Sequence, residues 1–416
     1  MSARRVCIVS LSDLARDGRV LRQIDAAAAA GYAVTVVGWG KPGTVPLPDG
    51  VAFHPIEPIR LGKVERALQA LRLFLGRLDA AWYARWYWRK PDHVAARDAI
   101  MAARPDLIHA NEAIGLPAAL AAADRIGDGV NGIRPALGAS TSAARATIPV
   151  LFDAHEYSPD RLPHGSLTRF LARPFYTWLI RTQAPRAAAM TTVADGIAER
   201  YRGTFGLDPH VIRNCPRYES LPFVPTDPDR IRLAHHGVAL RARRLGDMIE
   251  VVAACDERFV LDFMLVESDV CAIDDLQVDA DRRAPGRVTF SAPVAPAAIA
   301  ATLNARADIG LFLLPPVDFS YRFALPNKLF EFIMAGLAVA IGPSPEMAGV
   351  VDAHGCGVVA DDFAPATLAA RLNALTAAEI DGYKRRSLEA AKSLNAAAEM
   401  GRLMALYGSL LEAGTT

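Results

Sequence analysis

Short apolar runs alternate with helical patterns through most of the chain. RVCIVSL (5–11) is almost continuously apolar, as a strand covered on both faces must be. Arg19–Ala30 reads as an alanine-rich helix ended by Gly31, and AVTVVGW (33–39) is the next strand. Such a βαβ unit predicts a parallel sheet covered by helices. Further strands are predicted at DLIHAN (106–111), PVLFDAH (149–155), AMTTVA (189–194) and HVIRN (210–214). NCPRYESLPFVPTDPDR (214–230), with Pro216, Pro222, Pro225 and Pro228, then breaks the rhythm and reads as a linker. After it the alternation restarts with IRLAHHG, a helix, FVLDFMLVES, RVTFSAP, ADIGLFLLP, LAVAIG and GCGVVA. A last helix, Ala390–Ala413, is long enough to fold back onto the first half.

The pattern predicts an α/β protein of two doubly wound domains, and 416 residues exceed what one core usually fills. We place the domains at 1–217 and 218–389, with 390–416 as the returning helix. The Gly-, Ala- and Ser-rich stretch 126–147 is expected to be a mobile surface insertion. Ligands of such sheets bind beyond the carboxyl ends of the strands, so a central cleft between the domains is the expected site.

Charge refines this picture locally. With 46 basic and 45 acidic residues there is no global signature of nucleic-acid binding. Within Arg60–Lys90, however, eight basic residues less two acids leave +6, beside Trp82, Tyr83, Trp86, Tyr87 and Trp88 and a stripe of Leu68, Leu71, Leu75 and Leu78. Arg161–Arg186 adds five arginines and no acid. That composition suits a membrane headgroup surface, and equally a solvated helix whose aromatics pack on the domain. The five cysteines (Cys7, Cys215, Cys255, Cys271, Cys356) lie in or beside apolar runs without CxxC pairing, and are read as small buried hydrophobes. They suit a reducing cytoplasm. The opening MSARRVCIVSLSDLARDGR lacks a sustained apolar segment, so no signal peptide is predicted, and no apolar run approaches the roughly 20 residues of a membrane span.

Four stretches carry candidate chemistry. LFDAHEYSPD (151–160) delivers Asp153, His155 and Glu156 at a strand end. SDLARDGRVLRQ (12–23) places Asp13, Asp17, Gly18 and Arg19 between the first strand and helix; it is not GxGxxG, which argues against a nicotinamide enzyme. LAHHGVALRARRLGDMIE (233–250) ends a strand at His236-Gly237 and starts a helix near Arg243-Arg244, where free N–H groups and guanidinium forks suit a phosphate. In FALPNKLFEFIMAGLAVAIG (323–342), Pro326 fits the first helical position, and Lys328 and Glu331 share one helical face. Glu331 is either an ion-pair partner of Lys328 or a carboxylate that accepts hydroxyl protons.

These motifs, in this order and over nearly the whole chain, resemble the GT-B glycosyltransferases of family 4. The resemblance implies two Rossmann-like domains and a retaining transferase that uses a nucleotide sugar without a bound metal or other cofactor. It implies Glu331 on the nucleotide ribose, Arg243 or Arg244 on the diphosphate, and His155 near the reacting sugar. Gly18 lies where the first-domain loop approaches the donor, Gly237 and Asn327 flank the donor helix and strand, and Glu346 falls in the loop facing the nucleotide. Lys328 is assigned with the arginines to the leaving group. The family's first glutamate falls at Phe323, so the carboxylate that would grip the sugar is absent, and the glycine after the diphosphate arginine is missing at Leu245. The implied role is transfer to a saccharide or lipid-linked acceptor, at the inner face of the cytoplasmic membrane, in surface polysaccharide or lipopolysaccharide assembly. A partner subunit that binds the nucleotide sugar without transfer, or a GT-B epimerase, is the alternative.

Overall fold

The computed structural model describes residues 3–59, 62–127, 148–160, 167–268 and 272–413. The predicted insertion therefore lies outside the described residues beyond Gly127, as do Arg60, Arg161 and Cys271. The chain divides into two compact units: unit 1 is Met1–Arg213 with Met400–Thr416, and unit 2 is Asn214–Glu399.

Unit 1 is built on a seven-stranded parallel sheet. Its strands are β1 (Arg5–Asp13), β2 (Ala33–Trp39), β3 (Ala52–Ile56), β4 (Leu107–Asn111), β5 (Val150–Ala154), β6 (Ala189–Thr192) and β7 (His210–Val211). They lie in the order β3-β2-β1-β4-β5-β6-β7. The helices are α1 (Gly18–Ala29), α2 (Lys63–Leu75), α3 (Ala81–Trp88), α4 (Pro91–Ala103), α5 (Glu112–Gly127), α6 (Leu167–Gln183) and α7 (Asp195–Phe205). β4 and β5 are buried along their whole length, which is why their sequences are mostly apolar and do not alternate with exposed polar residues; His109, Asn111 and Asp153 are polar but buried. β3 escapes the sequence pattern because it is a mostly exposed edge strand carrying Pro55.

Unit 2 carries a six-stranded parallel sheet, again with the strand order of a dinucleotide-binding fold. Its strands are β8 (Ile231–Val238), β9 (Phe259–Val266), β10 (Val288–Ser291), β11 (Ile309–Phe312), β12 (Ala338–Ile341) and β13 (Gly357–Val359). They lie in the order β10-β9-β8-β11-β12-β13. Its helices are α8 (Leu245–Ala254), α9 (Ile273–Arg283), α10 (Ile299–Arg306), α11 (Phe319–Arg322), α12 (Asn327–Met334), α13 (Pro345–His354), α14 (Pro365–Asn373) and α15 (Ala377–Ala391). Gly310, central in β11, lets α12 settle on the sheet: any Cβ there would overlap the Phe332 ring. Pro326 is the extended residue before α12 rather than its first helical residue.

The predicted final helix is broken in two. α15 stops at Ala391, and α16 (Ala396–Ala413) restarts behind Asn395, whose Oδ1 accepts the Ala398 N–H at 3.1 Å and caps the new helix. From Met400 on, α16 belongs to unit 1: Met400, Leu403, Tyr407 and Leu411 share its core with Ile8, Val20, Ile24, Val36 and Leu151. Among the described residues no helix is long and apolar enough to cross a membrane.

Candidate functional site

In each sheet the strand order reverses once, between β1 and β4 and between β8 and β11. Ligands of doubly wound sheets bind beyond the strand ends at these reversals. The unit 2 reversal holds a group of charged side chains on a bare backbone. Gly237, near the end of β8, has φ +114°, a conformation that a side chain would strain. A Cβ there would stand 3.5 Å from Arg243 Nη1 and 3.6 Å from Lys328 Nζ, so two cations converge on this glycine.

Each cation is held by neutral groups. Arg243 donates from Nη1 to the Val238 carbonyl at 2.7 Å. Lys328, in the first turn of α12, is buried, with Nζ 3.0 Å from His235 Nε2 and 4.3 Å from the centre of the Phe312 ring. His235 Nδ1 lies 2.8 Å from the Leu311 carbonyl, an acceptor only, so Nδ1 carries the proton and Nε2 accepts from Lys328. Burial, then the charge of Arg243, holds the Lys328 amine well below its ordinary value, while Glu331 acts in the opposite sense. Burial and Lys328 likewise keep His235 neutral. Among the described residues neither Arg243 nor Lys328 forms an ion pair with a carboxylate, and such a pair of basic groups attracts an anion with several oxygens, since an added negative charge would relieve both desolvation and mutual repulsion.

Glu331 lies one turn further along α12. Its carboxylate is half-buried and 3.2 Å from His236 Nε2. Burial, with Lys328 and Arg243, pushes His236 down to about 3, so the ring is neutral near pH 7. Arg244, which the sequence leaves equivalent to Arg243, sits in the left-handed region at φ 49° and turns to Asp247, with Nε 2.9 Å from Oδ2. Asn327 is exposed at the start of α12, and Glu346 lies in the first turn of α13. Phe323 follows α11 and packs against Phe319, ring centroids 4.7 Å apart.

Gly18 and His155 belong to unit 1. Gly18 opens α1, capped by Asp17, which accepts the Val20 N–H at 3.2 Å. Ser10, Asn111, Asp153 and Thr191 form an in-register row across β1, β4, β5 and β6, all buried. Asp153 is the hub of this row. It accepts from Arg19 Nε at 2.7 Å and Nη2 at 2.8 Å, Gln23 Nε2 at 2.6 Å and Thr191 Oγ1 at 2.7 Å. Burial disfavours its charge, but Arg19 and His155 hold the carboxyl well below the usual range. His155 places Nδ1 3.2 Å from Glu112, with Nε2 3.0 Å from Asn111 Oδ1 and 3.3 Å from Asp153. Against the cost of burial, Asp153 and Glu112 raise it to about 10, making it an imidazolium donor rather than a base at neutral pH.

The sequence reading therefore named Gly237, Arg243, Lys328 and Glu331, which the structure brings together, while Arg244 points elsewhere. It named Arg19 and His236 within candidate stretches without giving them a role, and passed over His235, Gln23 and Glu112. Arg19 and Gln23 had a signal: they are polar at the buried spacing of α1, alongside Val20, Ile24 and Ala27, and buried polar groups require partners. Glu112 had none, because its φ of 63° is invisible in the sequence.

Comparison with protein-family models and with curated proteins finds no match. Solved structures do resemble the chain. Sucrose-phosphate synthase from Thermosynechococcus elongatus aligns with TM-score 0.67 at 14% identity, over 99% of this chain and 100% of that one. HepE from Anabaena, in complex with UDP, aligns with TM-score 0.64 at 14% identity over 97% and 100%. WaaG, a glycosyltransferase involved in lipopolysaccharide biosynthesis, aligns with TM-score 0.60 at 13% identity over 96% and 98%. At these identities the likeness shows the fold: two Rossmann-like domains of the GT-B type, as expected from the sequence.

Proposed function

We propose that the chain is a retaining, metal-independent glycosyltransferase that uses a nucleotide-sugar donor. The acceptor is a saccharide or lipid-linked glycan in surface polysaccharide or lipopolysaccharide assembly on the cytoplasmic side of the membrane. One observation carries this reading: Arg243 and Lys328 converge on Gly237 at the β8/β11 reversal, with Glu331 one turn beyond Lys328. The two cations would hold a diphosphate, and Glu331 would accept hydrogen bonds from the ribose hydroxyls. UDP in HepE, which shares the fold, supports the choice of a nucleoside diphosphate.

In the proposed step the bond from the anomeric carbon to the diphosphate oxygen breaks, and the acceptor oxygen bonds to that carbon on the same face. The acceptor proton passes to the departing phosphate oxygen. Arg243 and Lys328 stabilise charge where it grows, which is the electrostatic part of catalysis. His155, held charged with both ring N–H groups engaged by Glu112 and by Asn111 and Asp153, cannot abstract the acceptor proton.

Phe323 favours a second reading, a subunit that binds the nucleotide sugar without transfer, because a packed aromatic pair occupies the position of a sugar-gripping carboxylate. Incubation with UDP-, GDP- and dTDP-sugars separates the two. Slow release of one nucleoside diphosphate, abolished in Glu331→Ala by loss of donor affinity, is expected; tight binding with no release supports the second reading. Conversion of the donor to an epimer, with no nucleotide released, would identify an epimerase. If Glu331→Ala binds every donor as well as wild type, the ribose assignment is wrong.

A further inference from the structure

The helix α2 breaks the usual rule for amphipathic helices. Such a helix turns its apolar stripe to the core, yet no residue of α2 is buried. Val64 (74% exposed), Leu68 and Leu71 recur at helical spacing on its open side, and Leu78 (78%) stands just past its end. α2 packs beside α6, whose first turn adds Leu167 (72%) and Phe170 (52%). Arg77 fastens the two stripes together: Nη1 donates to the Phe170 carbonyl at 3.0 Å, and its guanidinium lies 4.2 Å from the Phe170 ring centre.

The tryptophans that suggested a membrane contact in the sequence are not this face. Trp86 is 7% exposed and packs on Phe175 at 4.6 Å between centroids, and Tyr83 and Tyr87 are also buried. Trp82 and Trp88 are half-buried under Arg85 and Arg97. α3 is the inner layer, and α2 with the start of α6 is the outer one.

We propose that the α2–α6 face docks on an anionic phospholipid surface, with Val64, Leu68, Leu71, Leu78, Leu167 and Phe170 entering the boundary between headgroups and acyl chains. The charge on α2 and its end fits that occupant. Lys63, Arg66, Arg72 and Arg77 against Glu65 and Asp79 leave four minus two, or +2, over residues 62–79. Glu65 is already engaged, its carboxylate accepting the Gly62 N–H at 3.0 Å. The same excess of one sign argues against a second copy of this chain as occupant, since like charges would face each other.

The test is co-sedimentation of the purified protein with vesicles of phosphatidylcholine alone and of phosphatidylcholine with phosphatidylglycerol. Two variants change exposed residues: Leu68→Ser with Leu71→Ser, and Lys63→Ser with Arg66→Ser. Wild type is expected to bind the anionic vesicles, and to release them as salt is raised. Each basic residue near the surface is worth about fivefold, so the charge variant should lose roughly 25-fold in partition. The leucine variant should lose about tenfold or more, and both should keep the wild-type unfolding midpoint. Equal binding to neutral vesicles, no binding to either, or unchanged partition in both variants would overturn the proposal. So would a dimer of the wild-type protein, lost in the leucine variant, with no vesicle binding. UDP binding measured on the same preparations separates this outcome from failure of the donor assignment.

Discussion

Lys328→Met keeps the length and apolar stem of the side chain and deletes its charge, and it should change stability and affinity in opposite directions. In the free protein the amine is buried beside Arg243, and both effects depress its pKa from 10.5. A lysine depressed by folding contributes stability that is present above its unfolded pKa and is lost as pH falls through the folded one. At neutral pH it is therefore a burden on the fold, and the methionine variant should melt above wild type. A bound diphosphate reverses the balance by giving the ammonium a partner. Losing one charge-assisted hydrogen bond costs about 2–3 kcal/mol, so UDP affinity should weaken by about thirty- to 150-fold. Because the anion raises the amine's pKa, binding should take up protons, and wild-type affinity should decline as pH rises from the free towards the bound value. Isothermal titration with UDP, in two buffers of different ionisation heat, measures both quantities. A methionine variant that binds UDP within about twofold of wild type, with no buffer dependence in either protein, would refute the placement of a phosphate at Lys328.

Two other substitutions probe the scaffold. Asp153→Asn strands the buried Arg19 and weakens the hold on His155, so it should cost about 3–5 kcal/mol in denaturant unfolding. His155 is raised from 6.5 to about 10, so its contribution is complete below 6.5 and lost as pH rises to about 10; the gap between wild type and variant should narrow over that window. Gly237→Ala forces a side chain into φ +114°, in van der Waals contact with both cations, with an expected cost of about 1–3 kcal/mol in thermal unfolding from the backbone strain and weaker UDP binding in titration. An alanine variant matching wild type in both measurements would show that the backbone strain is not real and that no ligand approaches this glycine.

What could be read in advance follows from where burial is complete. β2 was delimited to the residue, and β4 and β5 to within one residue at each end, because strands covered on both faces are mostly apolar and do not alternate. β3 lacked that cover, and so its sequence is silent. The break before α16 was missed because Ser393-Leu394-Asn395 reads as tolerable in a helix, whereas the cap at Asn395 is a tertiary choice. At the site, Arg243 and Lys328 were visible as cations in suspect positions. The meeting of Lys328 with His235 was not, because residues 93 positions apart come together only once β8 and α12 are packed. Arg243 and Arg244 are equivalent in sequence, and only the left-handed backbone of Arg244 separates them.

The position of α16 imposes an order on synthesis. Unit 2 is one continuous stretch, whereas unit 1 needs residues from Met400 on to fill its core and to give His109 its Tyr407 partner, 2.6 Å away. Synthesis reaches the end of unit 2 at Glu399 while the first 213 residues still await their last helix. Domains generally fold from the N-terminal end as they emerge; here the second unit in the chain is the first that can finish.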